Sequence, residues 1–163
     1  MIRGMAGAIR REFETIPAAE RNATPLLFSA HGIPKSVDDR GDTYRGHVER
    51  TVAAVVKELG GHPNVTLCYQ SRVGKQVWLQ PYTEDVLDAL VAKKVPRIVL
   101  YPVAFITEHS ETLYELDLQY GDVVRAAGID YRRVPALGSD PDFIGGLRDE
   151  VVAAMAGPPM RLA

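Results

Sequence analysis

Two histidines and a glutamate follow apolar runs of the sequence. His31 comes after PLLFSA and before Gly32-Ile33-Pro34, whereas His109 and Glu111 follow VAFIT within VAFITEHSETLYELD. A neutral imidazole has a basic nitrogen that can accept a proton or bind a metal ion. A nearby carboxylate adds a second proton acceptor or metal ligand. These three residues are therefore the first candidates for proton transfer or metal binding.

Each candidate also has a structural interpretation, and the pattern alone leaves both open. His31 could bond to the backbone of its loop, and Glu111 could simply complement the dipole of a helix that begins there. The unpaired N–H groups and the positive end of that dipole favour a charged carboxylate and disfavour a charged imidazole. His109 is accordingly predicted to be a neutral base beside the Glu111 anion.

A line of polar residues continues from Glu111 along the same predicted helix. Glu111 and Glu115 are four residues apart and so share one helix face, where like charges destabilise slightly. Gln119 and Asp122 roughly extend that face. Either the face is simply solvated, or it forms a route for cations or protons.

The remaining polar and aromatic residues give weaker signals. Trp78 in QVWLQPYTED is either a core plug or a platform for a flat ligand. His47 and His62 fall on a helix surface and in a Gly-Gly-His-Pro turn, and both are predicted to be structural. The glycine-rich phosphate loops, the G-x-S-x-G motif and the H-E-x-x-H motif are absent from the sequence. The first strand ends in Ser-Ala-His, so nucleotide binding is not indicated.

The hydrophobic pattern predicts four strands, each followed by a helix. The predicted strands are 25–29, 65–70, 97–106 and 129–137. The predicted helix starts or caps are Asp42 or Thr43, then Thr83, Ser110, and Ser139 or Asp140 with Pro141 in the first turn. Residues expected to face inward on the third helix, which should end at Gly128, are Leu113, Leu116, Tyr120, Val123, Val124 and Ala127.

This alternation predicts an α/β fold with a four-stranded parallel sheet, doubly wound, with helices on both faces. Right-handed crossovers and the commonest small arrangement of this type favour strand order 2-1-3-4. In that order strands 1 and 3 are neighbours where the winding reverses, and ligands bind outside their carboxyl ends. His31 and Glu111 would then face each other across one crevice.

Composition narrows the class of protein. The 163 residues suffice for one domain, and 46% hydrophobic with 25% charged residues is typical of a soluble globular protein. The formal net charge of −2, with dispersed basic residues, gives no reason to expect a nucleic-acid partner. Cys68 is the only cysteine, so an iron–sulfur cluster held by four thiolates of this chain is not expected. The same low cysteine content is what we expect of a protein in a reducing cytosol. No apolar run approaches the roughly 20 residues that cross a bilayer.

The opening segment MIRGMAGAIRREFETI is predicted to be an amphipathic helix. It could lie on a membrane surface or act as a transit helix, but packing on the domain is the simpler interpretation, since its acidic residues do not suit a transit peptide. The predicted organisation is a helix and linker over 1–22, an α/β domain over 23–157 and a flexible tail over 158–163.

Four segments, taken together and in order, resemble the ferrochelatase family. They are LLFSAHGIP, DRGDTY, YQSRVGKQVWLQPYTED and VPRIVLYPVAFITEHSETLYELDLQY, within roughly Leu26 to Phe143. Members of this family insert ferrous iron into a porphyrin in haem synthesis. The resemblance implies that ferrous iron is a substrate, that porphyrin is the partner molecule, and that no cofactor is tightly bound.

The resemblance also implies roles for individual residues. His31 matches the family's catalytic histidine and Glu111 its active-site glutamate, the two forming an iron-binding pair. His109 matches a position that is histidine in many members. The other implied roles are substrate binding by Trp78, Ile33 and Tyr44, and a proton or metal path along Glu115 and Gln119.

The matching segments correspond to the carboxyl-terminal half of a ferrochelatase. Three interpretations follow: a half that is active with an amino-terminal partner, a half-length chelatase that forms a homodimer, or a non-catalytic module that binds metal or tetrapyrrole. The expected location is the cytoplasm, with peripheral membrane attachment left open.

Overall fold

Four parallel strands form one sheet in the computed structural model, which describes residues 1–156. They are β1 (Leu26–His31), β2 (Val65–Gln70), β3 (Arg97–Pro102) and β4 (Asp130–Arg133), in the order β2-β1-β3-β4. All three neighbouring pairs are parallel. The predicted fold class and strand order are therefore confirmed.

Seven α-helices and one π-helix surround the sheet in the described residues. They are α1 (Ile2–Glu14), α2 (Ala18–Arg21), α3 (Lys35–Asp38), α4 (Tyr44–Glu58), α5 (Thr83–Ala92), the π-helix (Glu111–Tyr120), α6 (Gly121–Ala126) and α7 (Pro141–Ala156). Asp42 accepts the N–H of Tyr44 at 2.8 Å, and Asp140 accepts that of Phe143 at 3.2 Å, so these aspartates cap α4 and α7.

The sheet is covered on both faces, as a doubly wound fold requires. Alternate residues of β1 point to opposite sides: Leu26 and Phe28 join one core cluster, and Leu27 joins the other. The first cluster contains residues of α1 and α4, and the second contains residues of α5, the π-helix and α6.

Helix α1 packs on the domain, in agreement with the simpler interpretation of the opening segment. Met5, Ala6, Ile9 and Phe13 are buried in the same cluster as β1. Within residues 1–156, no helix has the length and apolar character needed to span a membrane. The predicted tail, 158–163, lies outside the described residues.

Two predicted strands are shorter in the structure. The third ends at Pro102 instead of continuing to Ile106, and the fourth covers only Asp130–Arg133. Prolines at positions 102 and 135 have no N–H to donate to a sheet, so pairing stops near each of them. The first strand, in contrast, continues two residues beyond the predicted Ser29, to His31.

The third predicted helix differs most from expectation, because Glu111–Tyr120 is a π-helix. Its wider turn, with i→i+5 hydrogen bonds, changes which residues face inward. Leu116 and Val124 are buried as predicted and Tyr120 is partly buried, but Leu113, Val123 and Ala127 are exposed. Ser110 precedes the helix without forming the predicted side-chain cap. Gly128 ends the α6 segment with φ +79°.

Candidate active site

The carboxyl ends of β1 and β3 bring His31 and Glu111 together. His31 is the last residue of β1, and Glu111 is the first residue of the π-helix that follows β3. His31 Nε2 lies 3.7 Å from Glu111 Oε2, and the two side chains are 39% and 37% exposed. The predicted juxtaposition is therefore present, and solvent or a substrate can reach both groups.

The backbone around His31 fixes which ring nitrogen is free. His31 Nδ1 lies 2.5 Å from the carbonyl oxygen of Gly32, which can only accept a hydrogen bond. Nδ1 must therefore carry the proton in the neutral ring, and the lone pair lies on Nε2, facing Glu111. This arrangement suits either proton acceptance or metal binding at Nε2.

Tyr44 holds the end of β1 in place. Its Oη donates to the carbonyl oxygen of His31 at 2.8 Å. Burial, with a smaller contribution from Tyr69, raises the pKa of Tyr44 to about 12, so the phenol keeps the proton that it donates. Tyr44 was predicted to bind substrate. In the structure its side chain is partly buried and contacts the backbone of His31.

Two aromatic rings flank His31. The centroids of Trp78 and Phe105 lie 6.3 and 6.4 Å from that of His31. Trp78 is 9% exposed and its indole N–H donates to the carbonyl of Val73 at 3.0 Å, which is the contact pattern of a plug. Ile33 is partly buried against the core, and its carbonyl accepts the N–H of Leu79.

His109 lies at the start of the π-helix and packs on Phe105, with ring centroids 5.0 Å apart. Its Nδ1 accepts the backbone N–H of Glu111 at 3.3 Å. In the neutral ring that hydrogen bond places the proton on Nε2. His109 thus stabilises the turn that presents Glu111.

An ion cluster anchors this turn to β4. Arg133 donates to Asp117 at 2.5 and 2.7 Å and to Glu108 at 2.7 Å. Glu108 also accepts the hydroxyl of Thr112 and the N–H of Ala136. Burial raises the pKa of Glu108, but these hydrogen bonds outweigh burial, and the net pKa is lowered. Glu108 therefore remains charged at neutral pH and holds the segment before the π-helix.

A buried polar chain that the sequence did not reveal connects both sides of the site. Thr83 and Ser29 are 2.9 Å apart, and Ser29 donates to the side-chain oxygen of Gln70 at 2.7 Å. Gln70 Nε2 then donates to the carbonyl of Glu111 at 2.8 Å and to Glu115 Oε2 at 3.2 Å. The available signal was a pair of polar residues, Gln70-Ser71, at the carboxyl end of the second strand.

The predicted path residues lie at successive positions along this side of the π-helix. Glu115 also accepts the hydroxyl of Ser71 at 2.9 Å. Gln119 is exposed and lines a cavity of about 400 Å³ between α5 and the π-helix, which Arg72 and Glu84 also line. Arg72 forms an ion pair with Glu84 at this cavity. Of the residues on this polar face, Gln119 lines the cavity, whereas Glu115 contacts Gln70 and Ser71.

The donor set at the site is small. Within residues 1–156, no group of three or more histidine, cysteine, aspartate or glutamate side chains is arranged to hold a metal ion. His31 and Glu111 offer two ligands, which would hold a cation weakly. Cys68 is buried elsewhere in the core, where burial raises the pKa of its thiol to about 11, so it is protonated at neutral pH.

A solved structure shares this architecture. A protein from Marinobacter aquaeolei, described as a cobalamin (vitamin B12) biosynthesis CbiX protein, matches 82% of this chain and 98% of its own, with a TM-score of 0.52 and 13% identity. At that identity the likeness concerns the fold alone. The chain thus shares an α/β fold with that protein, and it carries an imidazole and a carboxylate at the edge where such sheets bind ligands.

Sequence comparison defines the family. The ferrochelatase family profile matches residues 1–155. The ferrochelatase of Synechococcus sp. (strain RCC307) is 42% identical over 99% of this chain, and that of Nostoc sp. (strain PCC 7120) is 43% identical over 99%. The ferrochelatase of Synechococcus sp. (strain JA-2-3B'a(2-13)) is 46% identical over 90%. The chain belongs to the ferrochelatase family. It spans 42% of the length of each of these three relatives.

Proposed function

We propose that this chain supplies the metal-binding and proton-accepting half of a ferrochelatase-type site, which inserts ferrous iron into a porphyrin in haem biosynthesis. The observation that carries the proposal is the 3.7 Å separation of His31 Nε2 and Glu111 Oε2 at the open edge of the sheet. Metal–ligand bonds of about 2.1 Å from each atom span such a gap.

Metal insertion requires two pyrrole N–H protons to leave the porphyrin and a cation to be released into it. His31 is suited to accept a proton at Nε2, because Nδ1 is held by Gly32. Glu111 is suited to accept the second proton or to bind the cation. A pair of ligands holds the ion less firmly than a complete tetrahedral site does, which favours its transfer.

Exposed apolar residues close in sequence to the two aromatic rings that flank His31 support a flat apolar substrate. Val73, Val77 and Ile106 are large apolar residues that are 71%, 57% and 49% exposed. Val77 adjoins Trp78, and Ile106 adjoins Phe105, whose ring flanks His31. In this proposal Trp78, Ile33 and Tyr44 act as the supporting wall, with the exposed residues in contact with the macrocycle.

Glu115 and Gln119 form the proposed path between the outer cavity and the reacting pair. In this path Glu115 lies between the cavity and the reacting pair. Within the described residues its carboxylate is bound only by neutral donors, the amide of Gln70 and the hydroxyl of Ser71. A carboxylate without a cationic partner is available to a passing cation or proton.

The partner in this proposal is an amino-terminal ferrochelatase half. The curated relatives are more than twice as long as this chain, and α7 presents an apolar face that nothing in residues 1–156 covers. Its exposed residues are Ile144, Leu147, Val151, Val152 and Met155. Exposed apolar surface of this kind indicates an interaction site. The cytoplasmic location, with or without membrane attachment, and the lack of a tightly bound cofactor stay predictions.

One experiment tests the function and separates the three interpretations. The mass of the purified chain is measured in solution, and the absorbance of a porphyrin is followed with Fe²⁺ or Zn²⁺, with and without an added amino-terminal half. Turnover only with the added half supports the proposal. Turnover by a dimer of the chain alone would instead establish a half-length homodimeric chelatase. Spectral shifts without insertion in any combination would establish a binding module.

A further inference from the structure

Gln70 contacts both sides of the candidate site. It is the last residue of β2 and lies beside His31 in the parallel register. Its backbone carbonyl accepts the N–H of Gly32 at 2.8 Å, which fixes the loop after His31. Its side chain reaches the opposite side and donates to the carbonyl of Glu111 at 2.8 Å. One residue therefore joins the segment that carries the imidazole to the turn that carries the carboxylate.

The orientation of the Gln70 amide follows from its partners. The carbonyl of Glu111 and the carboxylate of Glu115 can only accept, so the NH₂ group must face them. The amide oxygen correspondingly accepts the hydroxyl of Ser29 at 2.7 Å. Gln70 is 2% exposed, so water does not replace these bonds when the side chain is changed.

We propose that Gln70 is the positioning residue of the site: its amide sets the first turn of the π-helix relative to β1, and so fixes the separation of His31 and Glu111. The proposal rests on the proposed function for its metal chemistry, but its geometric part stands on the contacts of Gln70 alone. Residues that orient the ligands of a metal typically affect metal affinity by roughly 10- to 100-fold when they are changed.

The test uses Gln70→Met, which keeps much of the volume but removes both donors. Ser71→Ala is the matched control, since it removes a hydrogen bond from Glu115 without touching the carbonyl of Glu111. Crystal structures of the chain and both variants give the distance from His31 Nε2 to Glu111 Oε2. Gln70→Met should widen it by about 1 Å, a scale at which a site loses function, and Ser71→Ala should leave it unchanged. An unchanged distance in Gln70→Met would overturn the proposal.

Calorimetric titration with Zn²⁺ supplies the second readout. Gln70→Met should weaken Zn²⁺ binding about tenfold, whereas Thr24→Val, which removes a buried hydroxyl at the amino end of β1, should not. Equal losses in both variants would overturn the positioning role and indicate general destabilisation.

If the unaltered chain binds no Zn²⁺, the proposed function is at fault, and the crystal structures still decide the role of Gln70. Gln70→Glu, which has the same shape but opposes Glu115 with a charge, replaces Gln70→Met if that variant does not fold.

Discussion

Replacing His31 by alanine should abolish metal insertion while preserving the fold. The ring is 39% exposed, so its removal creates no core cavity, and its half-exposed pair with Glu111 contributes at most about 1 kcal/mol to stability. Two hydrogen bonds hold the end of β1: Tyr44 donates to the carbonyl of His31, and the N–H of Gly32 donates to the carbonyl of Gln70. Neither bond uses the side chain of His31, so both persist in the variant.

The loss of activity should be much larger than the loss of stability. A general base contributes roughly 10²- to 10⁴-fold to a rate, and in the proposed function His31 is also one of the two metal ligands. The assay follows porphyrin absorbance with Zn²⁺ in the presence of the amino-terminal half, beside a urea denaturation curve for each variant. His47→Ala, at an exposed histidine of α4, is the control. Insertion by His31→Ala within tenfold of the unaltered chain would remove His31 from the chemistry.

Three other changes give separate tests. Glu115→Gln should raise the KM for the metal about tenfold and leave the KM for porphyrin unchanged, because Glu115 belongs to the proposed path; an unchanged metal KM would exclude that path. Because the pKa of Glu108 is lowered in the folded chain, its contribution to stability is complete above about pH 4.5 and is lost as the pH falls through the folded pKa. Glu108→Gln should accordingly flatten the decrease in urea stability below pH 4.5, and a variant with the same decrease would contradict this cause. Val151→Glu, at a residue of α7 that is 58% exposed, should leave the melting temperature within a few degrees and abolish activation by the amino-terminal half; full activation would place the partner elsewhere.

The sheet was predictable because its signals are local and repeated. Near-continuous apolar runs indicated buried parallel strands, and the alternation of strands and helices limited the strand orders to few. That order alone placed His31 opposite Glu111, about 80 positions apart in the chain. The pairing of these two residues therefore followed from topology and needed no side-chain detail.

The π-helix was not predictable from hydrophobic spacing. The sequence from Glu111 to Tyr120 satisfies an α-helical pattern, but its turns are widened in the fold, so that Leu113 faces outward and Glu115 faces Gln70. The buried chain through Gln70 was missed for a related reason. A glutamine at the end of a strand has no characteristic spacing, and its partners lie 41 and 45 residues away.

The most direct measurement is a crystal structure of the chain soaked in Co²⁺ or Zn²⁺, with anomalous diffraction to locate the ion. The central claim predicts an anomalous peak between His31 Nε2 and Glu111 Oε2, about 2.1 Å from each. A peak at His47 or His62, with none beside Glu111, would contradict it.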